Sequence, residues 1–175
     1  MKLSSLAAAL ALAAVPLMAT TVLAQQGQQD SPPPIVDPQQ FADSAASSNT
    51  FEIESSELAI NTSQNEEVVA FAEQMVTDHT AAGEQMMAAA EEDGITPASE
   101  MEELHQTQIE ELSALQGEEF DQAYIAAQVA AHRSAVALFE SFSTDGQESA
   151  LKSFAAETLP TLEQHLEHIT QMAEE

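Results

Sequence analysis

The sequence predicts an all-α fold, a bundle of four long helices with a shorter additional helix. Apolar residues recur at steps of three and four over most of residues 38–172, which is the period of a helix that buries one face. No segment alternates between apolar and polar residues, and runs of β-branched residues are absent. Glycine and proline fall between the periodic segments, so each segment is predicted to be a separate helix.

The first two helices have clear start and stop signals. Asp37 is a predicted N-cap before a helix over residues 38–61, and Pro38 occupies the favoured first helical position. Ser63–Glu66, with the sequence SQNE, has the form of a capping box and is predicted to open the second helix. Gly94 is predicted to end it, because glycine readily adopts the left-handed conformation that follows many helices.

The other three helices follow from the same signals. The third is predicted to begin near residue 97 and to end at Gly117, and the fourth covers about residues 118–144. The fifth starts at Gln147, and Pro160 is expected to kink or split it. At about 20 residues the third helix is long enough to cross the length of the bundle, and one long crossover defines the ferritin-like topology.

The first 24 residues have the composition of a cleaved export signal. Lys2 provides a positive charge, an apolar run follows, and Val22–Ala24 has the small-residue spacing of a signal-peptidase site. Residues 25–36 are polar and rich in proline, which predicts a disordered leader. We therefore expect an exported protein, periplasmic or extracellular and associated with the envelope, whose bundle domain is residues 37–175. No segment after the signal is apolar and long enough to span a bilayer.

Acidic residues dominate the charge of the protein. The chain has 30 Asp and Glu residues against three Lys and Arg residues. A surface with this charge repels nucleic acid and anionic lipid headgroups, so a nucleic-acid partner is not expected. The acids are spread along every helix, which favours a solvated acidic surface over a dedicated cation-collecting site.

The motifs of common enzyme classes are missing from the sequence. It contains no cysteine, no nucleophile elbow of the form GxSxG, no phosphate-binding glycine loop and no dinucleotide-binding fingerprint. Without cysteine, the exported protein can form no disulfide, so packing and any bound ligand must stabilise it. We expect a protein that is not an enzyme.

Four polar residues interrupt the apolar faces of four different helices. They are Glu52, His79, His132 and His165. Each falls at a position where steps of three and four predict an inward side chain. Counting through the predicted turns places the first three at a common height, whereas His165 is expected about 10 Å from His132 along the bundle.

Two interpretations of this layer remain open. A glutamate and two or three histidines at one height suit Zn²⁺, Fe²⁺ or Cu²⁺. The same side chains also suit a buried polar layer that fixes the register of the bundle, with His79 and His132 bonded to Glu52, Gln128 or Tyr124. An inward histidine is more often structural than a ligand, so the residues alone favour the second interpretation. The paired Glu-x-x-His motifs of di-iron proteins are missing, which argues against a ferroxidase centre.

The remaining candidate ligands are peripheral in the sequence pattern. His105 and His168 do not fall on the predicted apolar faces, although His168 and His165 are spaced to bind a surface metal weakly. Met75 and Met86 fall on the buried face of the second helix, and we interpret them as core residues rather than as copper ligands.

Four segments resemble a known family. They are FADSAASSNTFEIESSELAI, VVAFAEQMVTDHTAA, GEEFDQAYIAAQVAAHRSAVALFE and FAAETLPTLEQHLEHI, in that order along residues 38–172. They are similar to the bacterial family called domain of unknown function 4142. The resemblance implies a ferritin-like bundle in an exported, often envelope-associated protein, and it implies no established activity.

Two functions are therefore carried forward. The first is a non-enzymatic envelope bundle that acts through a protein partner or in stress tolerance. The second is a ferritin-like protein that binds a transition metal (Zn, Fe or Cu) through Glu52, His79, His132 and His165.

Overall fold

Five α-helices account for most of residues 37–174, which is the part of the chain that the computed structural model describes. They are α1 (Pro38–Thr62), α2 (Glu66–Glu92), α3 (Glu103–Ser113), α4 (Gly117–Asp145) and α5 (Ala150–Met172). No strand occurs in this range, so the all-α prediction is confirmed. The expected export signal and leader, residues 1–36, lie outside the described residues. Between residues 37 and 174, no helix has the length and mean hydropathy that crossing a bilayer requires.

The four long helices surround a common core. α1 packs against α2 and α4, and α5 packs against the same two helices, so α1 and α5 occupy one diagonal of the bundle. The chain passes from α2 to α4 through residues 93–116, and the α3 segment of this crossover lies against α1 and α4. This is the ferritin-like arrangement with one crossover that the sequence predicts.

Apolar side chains form two clusters, one at each end of the bundle. The Phe41 cluster contains Phe41, Ala42, Ala45, Met86, Ala90, Ala135, Phe139, Phe142, Leu151, Phe154, Ala155 and Leu162. The Tyr124 cluster contains Ala59, Val68, Phe71, Ala72, Met75, Leu112, Phe120, Tyr124 and Ile169. In the first, Phe41 stacks on Phe142 with ring centroids 4.1 Å apart. The clusters combine the start of α1 with the end of α2, and the reverse, because these helices are antiparallel.

The third helix is shorter than the sequence predicts. α3 has 11 residues, and Gly117, with a φ of 59°, begins α4 instead of ending α3. The segment before α3 is held by α1: the Glu102 N–H donates to Ser47 Oγ at 2.9 Å, and the Ala98 N–H donates to Asp43 Oδ1 at 2.7 Å. A backbone N–H that bonds to a neighbouring helix cannot also extend its own helix, so the crossover stays partly non-helical.

The connection between α1 and α2 also differs from the prediction. Asn65, not Ser63, is the N-cap of α2, and its Oδ1 accepts from the Glu67 N–H at 3.0 Å. Ser63 is instead the C-cap of α1, and its Oγ accepts from the Asn65 N–H at 3.1 Å. Because only residues 63–65 connect the two helices, Ser63 is already used at the end of the first.

α5 is a single helix that begins three residues after its predicted start. Pro160 lies inside it without splitting it. The N-terminus of α5 is tied to the end of α2, because the two carboxylate oxygens of Asp93 accept from the Ala150 and Leu151 N–H groups, each at 2.9 Å. This contact satisfies backbone donors that a helix leaves unpaired at its start.

Candidate metal centre

Buried polar residues form a layer between the two apolar clusters. We call the following residues the middle layer: Glu52, Ser55, Ser56, His79, Gln128, His132 and His165. They come from α1, α2, α4 and α5, and the most exposed of them, His79, is only 6% exposed. All four long helices therefore place polar atoms in the interior at mid-height.

Three histidines from three helices meet in this layer. The ring centroids are 5.6 Å apart for His79 and His132, 5.7 Å for His79 and His165, and 5.5 Å for His132 and His165. The rings thus form a nearly equilateral triangle, which we call the histidine triad. One nitrogen atom of each ring lies within 4.8 Å of one nitrogen atom of each of the others.

The position of His165 corrects the estimate from the sequence, which separated it from His132 by about 10 Å. That estimate placed the turn between α4 and α5 near residue 145, whereas the connection is residues 146–149. Moving the midpoint of a turn by two or three residues moves the opposite residue by about five, or ~7 Å at the rise of an α-helix. With the connection at residues 146–149, His165 lies at the same height as His132 and is the third residue of the triad.

Each histidine uses one ring nitrogen for a hydrogen bond and leaves the other without a partner. The bonds are His79 Nδ1 with Asn49 Oδ1 at 3.1 Å, His132 Nδ1 with the Gln128 carbonyl at 3.0 Å, and His165 Nε2 with Asp78 Oδ2 at 3.0 Å. The other nitrogens, His79 Nε2, His132 Nε2 and His165 Nδ1, are buried and have no hydrogen-bond partner among residues 37–174.

These bonds assign the proton on each neutral ring. A carbonyl or carboxylate oxygen of this kind accepts and does not donate, so the N–H lies on the bonded nitrogen and the lone pair on the free one. Three buried nitrogens that carry lone pairs therefore lack a donor among the described residues, and leaving a buried polar atom unpaired costs about 1–3 kcal/mol. Metal-bound imidazoles have the same arrangement, one nitrogen on the ion and the other hydrogen-bonded to the protein.

Burial also keeps the triad uncharged. It lowers the pKa of His79 to about 3, with further lowering by His132 and His165. Burial lowers the pKa of His132 to about 4, and it also lowers the pKa of His165. All three rings are therefore neutral at pH 7, which is the form that binds metal ions.

Glu52 lies beside His132 and outside the triad. Its Oε1 is 3.5 Å from His132 Nδ1, the nitrogen that donates to Gln128, and both of its carboxyl oxygens lack a hydrogen-bond partner. Burial raises the pKa of Glu52 to about 8, so at pH 7 this contact joins two neutral groups. Three of the four candidates from the sequence, the histidines, thus lie together in the triad. The fourth, Glu52, contacts His132 at the ring nitrogen that already bonds to Gln128.

The rest of the middle layer joins α1 to α4. Gln128 Nε2 donates to Ser55 Oγ at 3.0 Å, and the hydroxyl groups of Ser56 and Tyr124 share a hydrogen bond of 2.9 Å. The sequence analysis considered Gln128 and Tyr124 as partners for His79 and His132. In the described part of the chain, the side chains of Gln128 and Tyr124 form no hydrogen bond to a triad histidine. Only the backbone carbonyl of Gln128 has that role.

Asn49 and Asp78 bond to triad histidines, and neither was among the four candidate residues of the sequence. Residue 49 lies opposite His79 when the turn after α1 is centred near residue 64, so this contact could have been found by counting. Asp78 lies on the polar side of α2, and its side chain is 37% exposed. Its partner, His165, lies on the neighbouring helix α5, and the pattern of a single helix cannot indicate such a contact. Gly83 makes room for Asn49, because a Cβ there would lie 2.9 Å from Asn49 Nδ2.

The other two histidines lie elsewhere. His105 shares a hydrogen bond of 2.7 Å with Ser47 Oγ and stacks on Phe51, and burial lowers its pKa. His168 is exposed, and its ring lies nearly perpendicular to that of Phe71 with the ring centroids 5.2 Å apart. Neither contributes an atom to the triad.

A family model identifies the chain. The model of "Domain of unknown function (DUF4142)" matches residues 23–172. The chain belongs to the DUF4142 family. The match confirms the resemblance found in the sequence, and it extends over all five helices. No curated protein sequence matches this DUF4142 chain.

Solved structures with the same fold are distant in sequence. A DUF305 fragment from Deinococcus radiodurans has a TM-score of 0.69 and 17% identity, and the match covers 81% of this chain and 99% of that one. CopM in its Cu(I)-bound form has a TM-score of 0.63 with 15% identity, covering 78% of this chain and 94% of that one. The Cu(II)-bound form of CopM has a TM-score of 0.65 and 15% identity, and the match covers 78% of this chain and 95% of that one. At this identity the comparison shows a shared ferritin-like bundle fold.

Proposed function

We propose that this DUF4142 protein binds one transition-metal ion in the bundle core through His79, His132 and His165, and that it holds the ion without catalysing a reaction. One observation carries the proposal: three buried imidazole nitrogens without partners belong to rings that offer ligand atoms within 4.8 Å of one another. In a purely structural layer three unpaired acceptor nitrogens only reduce stability, whereas in a metal site each of them is a ligand.

The dimensions of the triad suit a metal with small movements of the rings. Bonds of 2.0–2.1 Å from a tetrahedral zinc ion to three imidazoles place the nitrogens roughly 3.3 Å apart. A triangle with sides up to 4.8 Å reaches that size when each ring moves inward by ~1 Å or less. Rotation of the imidazole about its side-chain bonds supplies such a movement without shifting a helix.

The hydrogen bonds from the other ring nitrogens support the same function. Asn49, the Gln128 carbonyl and Asp78 fix the tautomer and the orientation of their histidines. Partners of this kind raise the basicity of a ligating imidazole, and their loss typically costs metal sites 10- to 100-fold in affinity. Asp78 also supplies a carboxylate close to the ion, which offsets part of the cost of burying a cation.

The small cavity beside His79 supports holding rather than catalysis. The cavity that His79 lines has a volume of about 30 Å³. This volume accommodates about one water molecule, whereas sites for organic ligands are typically 300–1,000 Å³. A metal ion here has room for a water ligand but not for an organic substrate.

Copper, zinc and iron remain the candidate metals. Three imidazoles suit all of them. CopM, which shares the bundle fold, has solved structures with Cu(I) and with Cu(II) bound, and this adds support for copper. We further propose that the protein acts after export, in the periplasm or outside the cell at the envelope. The signal pattern in residues 1–24 supports this location, and an N-terminus at Gln25 in the secreted protein, measured by mass spectrometry, is the expected result.

Metal analysis of the purified protein tests the proposal. Metal-free protein is dialysed against Zn²⁺, Fe²⁺ or copper, and bound metal is measured by elemental mass spectrometry. We expect about one ion per chain for the wild type, and none for His79→Leu, His132→Leu or His165→Leu. His168→Leu is the matched control, because this histidine is on α5 but outside the triad, and it should bind as the wild type does. A wild type without stoichiometric metal would overturn the proposal.

A second candidate is a non-enzymatic envelope protein that acts through a protein partner or in stress tolerance, with the middle layer fixing the bundle register. The Gln128–Ser55 and Ser56–Tyr124 bonds favour it, because both join α1 to α4. In that case replacing His79 and His132 together by leucine should preserve or raise stability, and either replacement alone should cost more. Chelator should then leave the wild-type melting temperature unchanged.

A further inference from the structure

A small cavity lies beside His79, one of the three residues of the histidine triad. Its polar and sulfur-bearing lining residues are Ser48, Asn49, His79, Met86 and Thr158, and Gly83 completes one wall. Asn49, Gly83 and Thr158 are partly exposed, whereas His79 and Met86 are buried. The cavity therefore connects partly exposed residues with one of the three triad rings.

Among the residues that the structure describes, Met86 is the only sulfur-containing one in the lining of this cavity. It follows His79 by two turns on the same face of α2, and its side chain is 4% exposed. Both residues line the same cavity, and His79 lies on the N-terminal side of Met86 along α2. The thioether is a soft ligand that selects Cu(I) over harder ions.

We propose that Met86 is an accessory ligand for Cu(I), which binds the ion in this cavity before it passes to the histidine triad. This inference rests on the proposed metal site and adds to it the identity of the metal and its route. The transfer is a ligand exchange without change in oxidation state: a copper–imidazole bond forms as the copper–thioether bond breaks.

The size and lining of the cavity support a soft, weakly hydrated ion. With about 30 Å³, the cavity has space for one water-sized occupant, so an ion must lose almost all its water to enter. Phe139, Phe154 and Leu162 form apolar walls that cannot replace lost water ligands. A dication pays a large desolvation penalty in such surroundings, whereas Cu(I) bonds well to a thioether and an imidazole.

Gly83 and Asn49 set the width of the route beside His79. The Asn49 amide lies so close to Gly83 that a Cβ there would approach Asn49 Nδ2 to 2.9 Å. The same amide accepts the hydrogen bond from His79 Nδ1. A side chain at position 83 would therefore push Asn49 toward the cavity or away from His79.

The rate of metal uptake tests the inference. Purified metal-free protein is mixed anaerobically with Cu(I) held by bicinchoninate, and uptake is followed by the loss of the probe's absorbance. Uptake of Co²⁺ is followed separately by its visible absorption. Met86→Leu should slow Cu(I) uptake by on the order of tenfold and leave the Co²⁺ rate and the final Cu(I) stoichiometry unchanged. Leucine conserves the volume of methionine, so folding should be preserved.

Met75→Leu is the matched control. Met75 is also buried on α2, but it belongs to the Tyr124 cluster and does not line the cavity. The inference is overturned if Met86→Leu has no effect, if Met75→Leu slows uptake equally, or if Co²⁺ uptake slows by the same factor. It is also overturned, with the metal site intact, if the wild type binds Co²⁺ at the triad and does not bind Cu(I). If neither ion binds the triad, the proposed function itself fails.

Discussion

The Phe41 cluster and the middle layer occupy neighbouring turns of the same helices, yet their side chains have different requirements. In the Phe41 cluster the rings of Phe41, Phe139 and Phe142 pack against one another and need only the exclusion of water. In the middle layer, unpaired buried atoms include three histidine nitrogens and both carboxyl oxygens of Glu52.

This difference identifies the middle layer as the region in which buried side chains reduce the free energy of unfolding. Packed apolar side chains contribute favourably wherever they are buried, whereas each unpaired polar atom costs about 1–3 kcal/mol unless a ligand satisfies it. The ends of the bundle therefore account for the fold, and the middle layer is the region where a ligand would change stability most. Four predictions test this contrast, from the largest expected effect to the smallest.

Phe41→Ala should have the largest effect. Phe41 is fully buried, and truncation of a buried Phe typically costs 3–5 kcal/mol in the free energy of unfolding. Ser56→Ala in the middle layer should cost about 1–3 kcal/mol, because it leaves the Tyr124 hydroxyl unpaired. Urea unfolding of the metal-free protein measures both values. Equal costs would contradict the contrast between the two regions.

Metal binding should stabilise the middle layer by the next largest amount. An ion that binds only the folded protein adds about 2.7 kcal/mol at a free concentration of 100 times its Kd. The Phe41→Ala variant should gain the same amount, because its substitution lies in a separate cluster. His132→Leu should gain nothing. Thermal or urea unfolding with and without metal measures the gain, and a gain that persists in His132→Leu would place the metal elsewhere.

The pH dependence of the metal-free protein should report the burial of Glu52. Its pKa rises from 4.5 to about 8 on folding, because the buried site favours the protonated form. The free energy of unfolding is therefore highest below pH 4.5 and decreases as the pH rises through 8 and Glu52 loses its proton. The lowered pKa values of His79 and His132 act in the opposite sense and only below their ordinary value of 6.5.

Between pH 6.5 and pH 8, Glu52 should therefore reduce the free energy of unfolding by about 1–2 kcal/mol. Glu52→Gln should remove this slope, since glutamine does not titrate. Urea unfolding at the two pH values measures the difference. A slope that is unchanged in Glu52→Gln would show that another group is responsible.

Salt should have the smallest effect and should act on the surface rather than on either buried region. With 30 acidic and three basic residues, screening of repulsion should raise the melting temperature as NaCl is added to the metal-free protein. The shift should be similar in the wild type and in Ser56→Ala, whose substitution is buried. A melting temperature that stays constant or falls would mean that specific cations already neutralise the acids.

Local patterns in the sequence are enough to assign five helices and the inward face of each long helix, although not every helix boundary. The three- and four-residue spacing placed His79, His132, His165 and Glu52 in the interior, because a helix has one period whatever it packs against. Asp37 and Gly94 marked helix ends for local reasons, a side chain that caps and a backbone that turns. These properties depend on neighbouring residues in the chain, so they can be read without the fold.

The geometry of the site depends on contacts between helices. The height of His165 depends on where the connection after α4 is centred, and a small error there is doubled on the opposite helix. The length of α3 depends on hydrogen bonds from its preceding segment to α1, and the partner of His165 is Asp78 on a different helix. Glu52 contacts His132 Nδ1, which already bonds to the Gln128 carbonyl, and this contact depends on the orientation of the His132 ring. Such contacts join residues distant in the chain, and no local pattern in the sequence carries them.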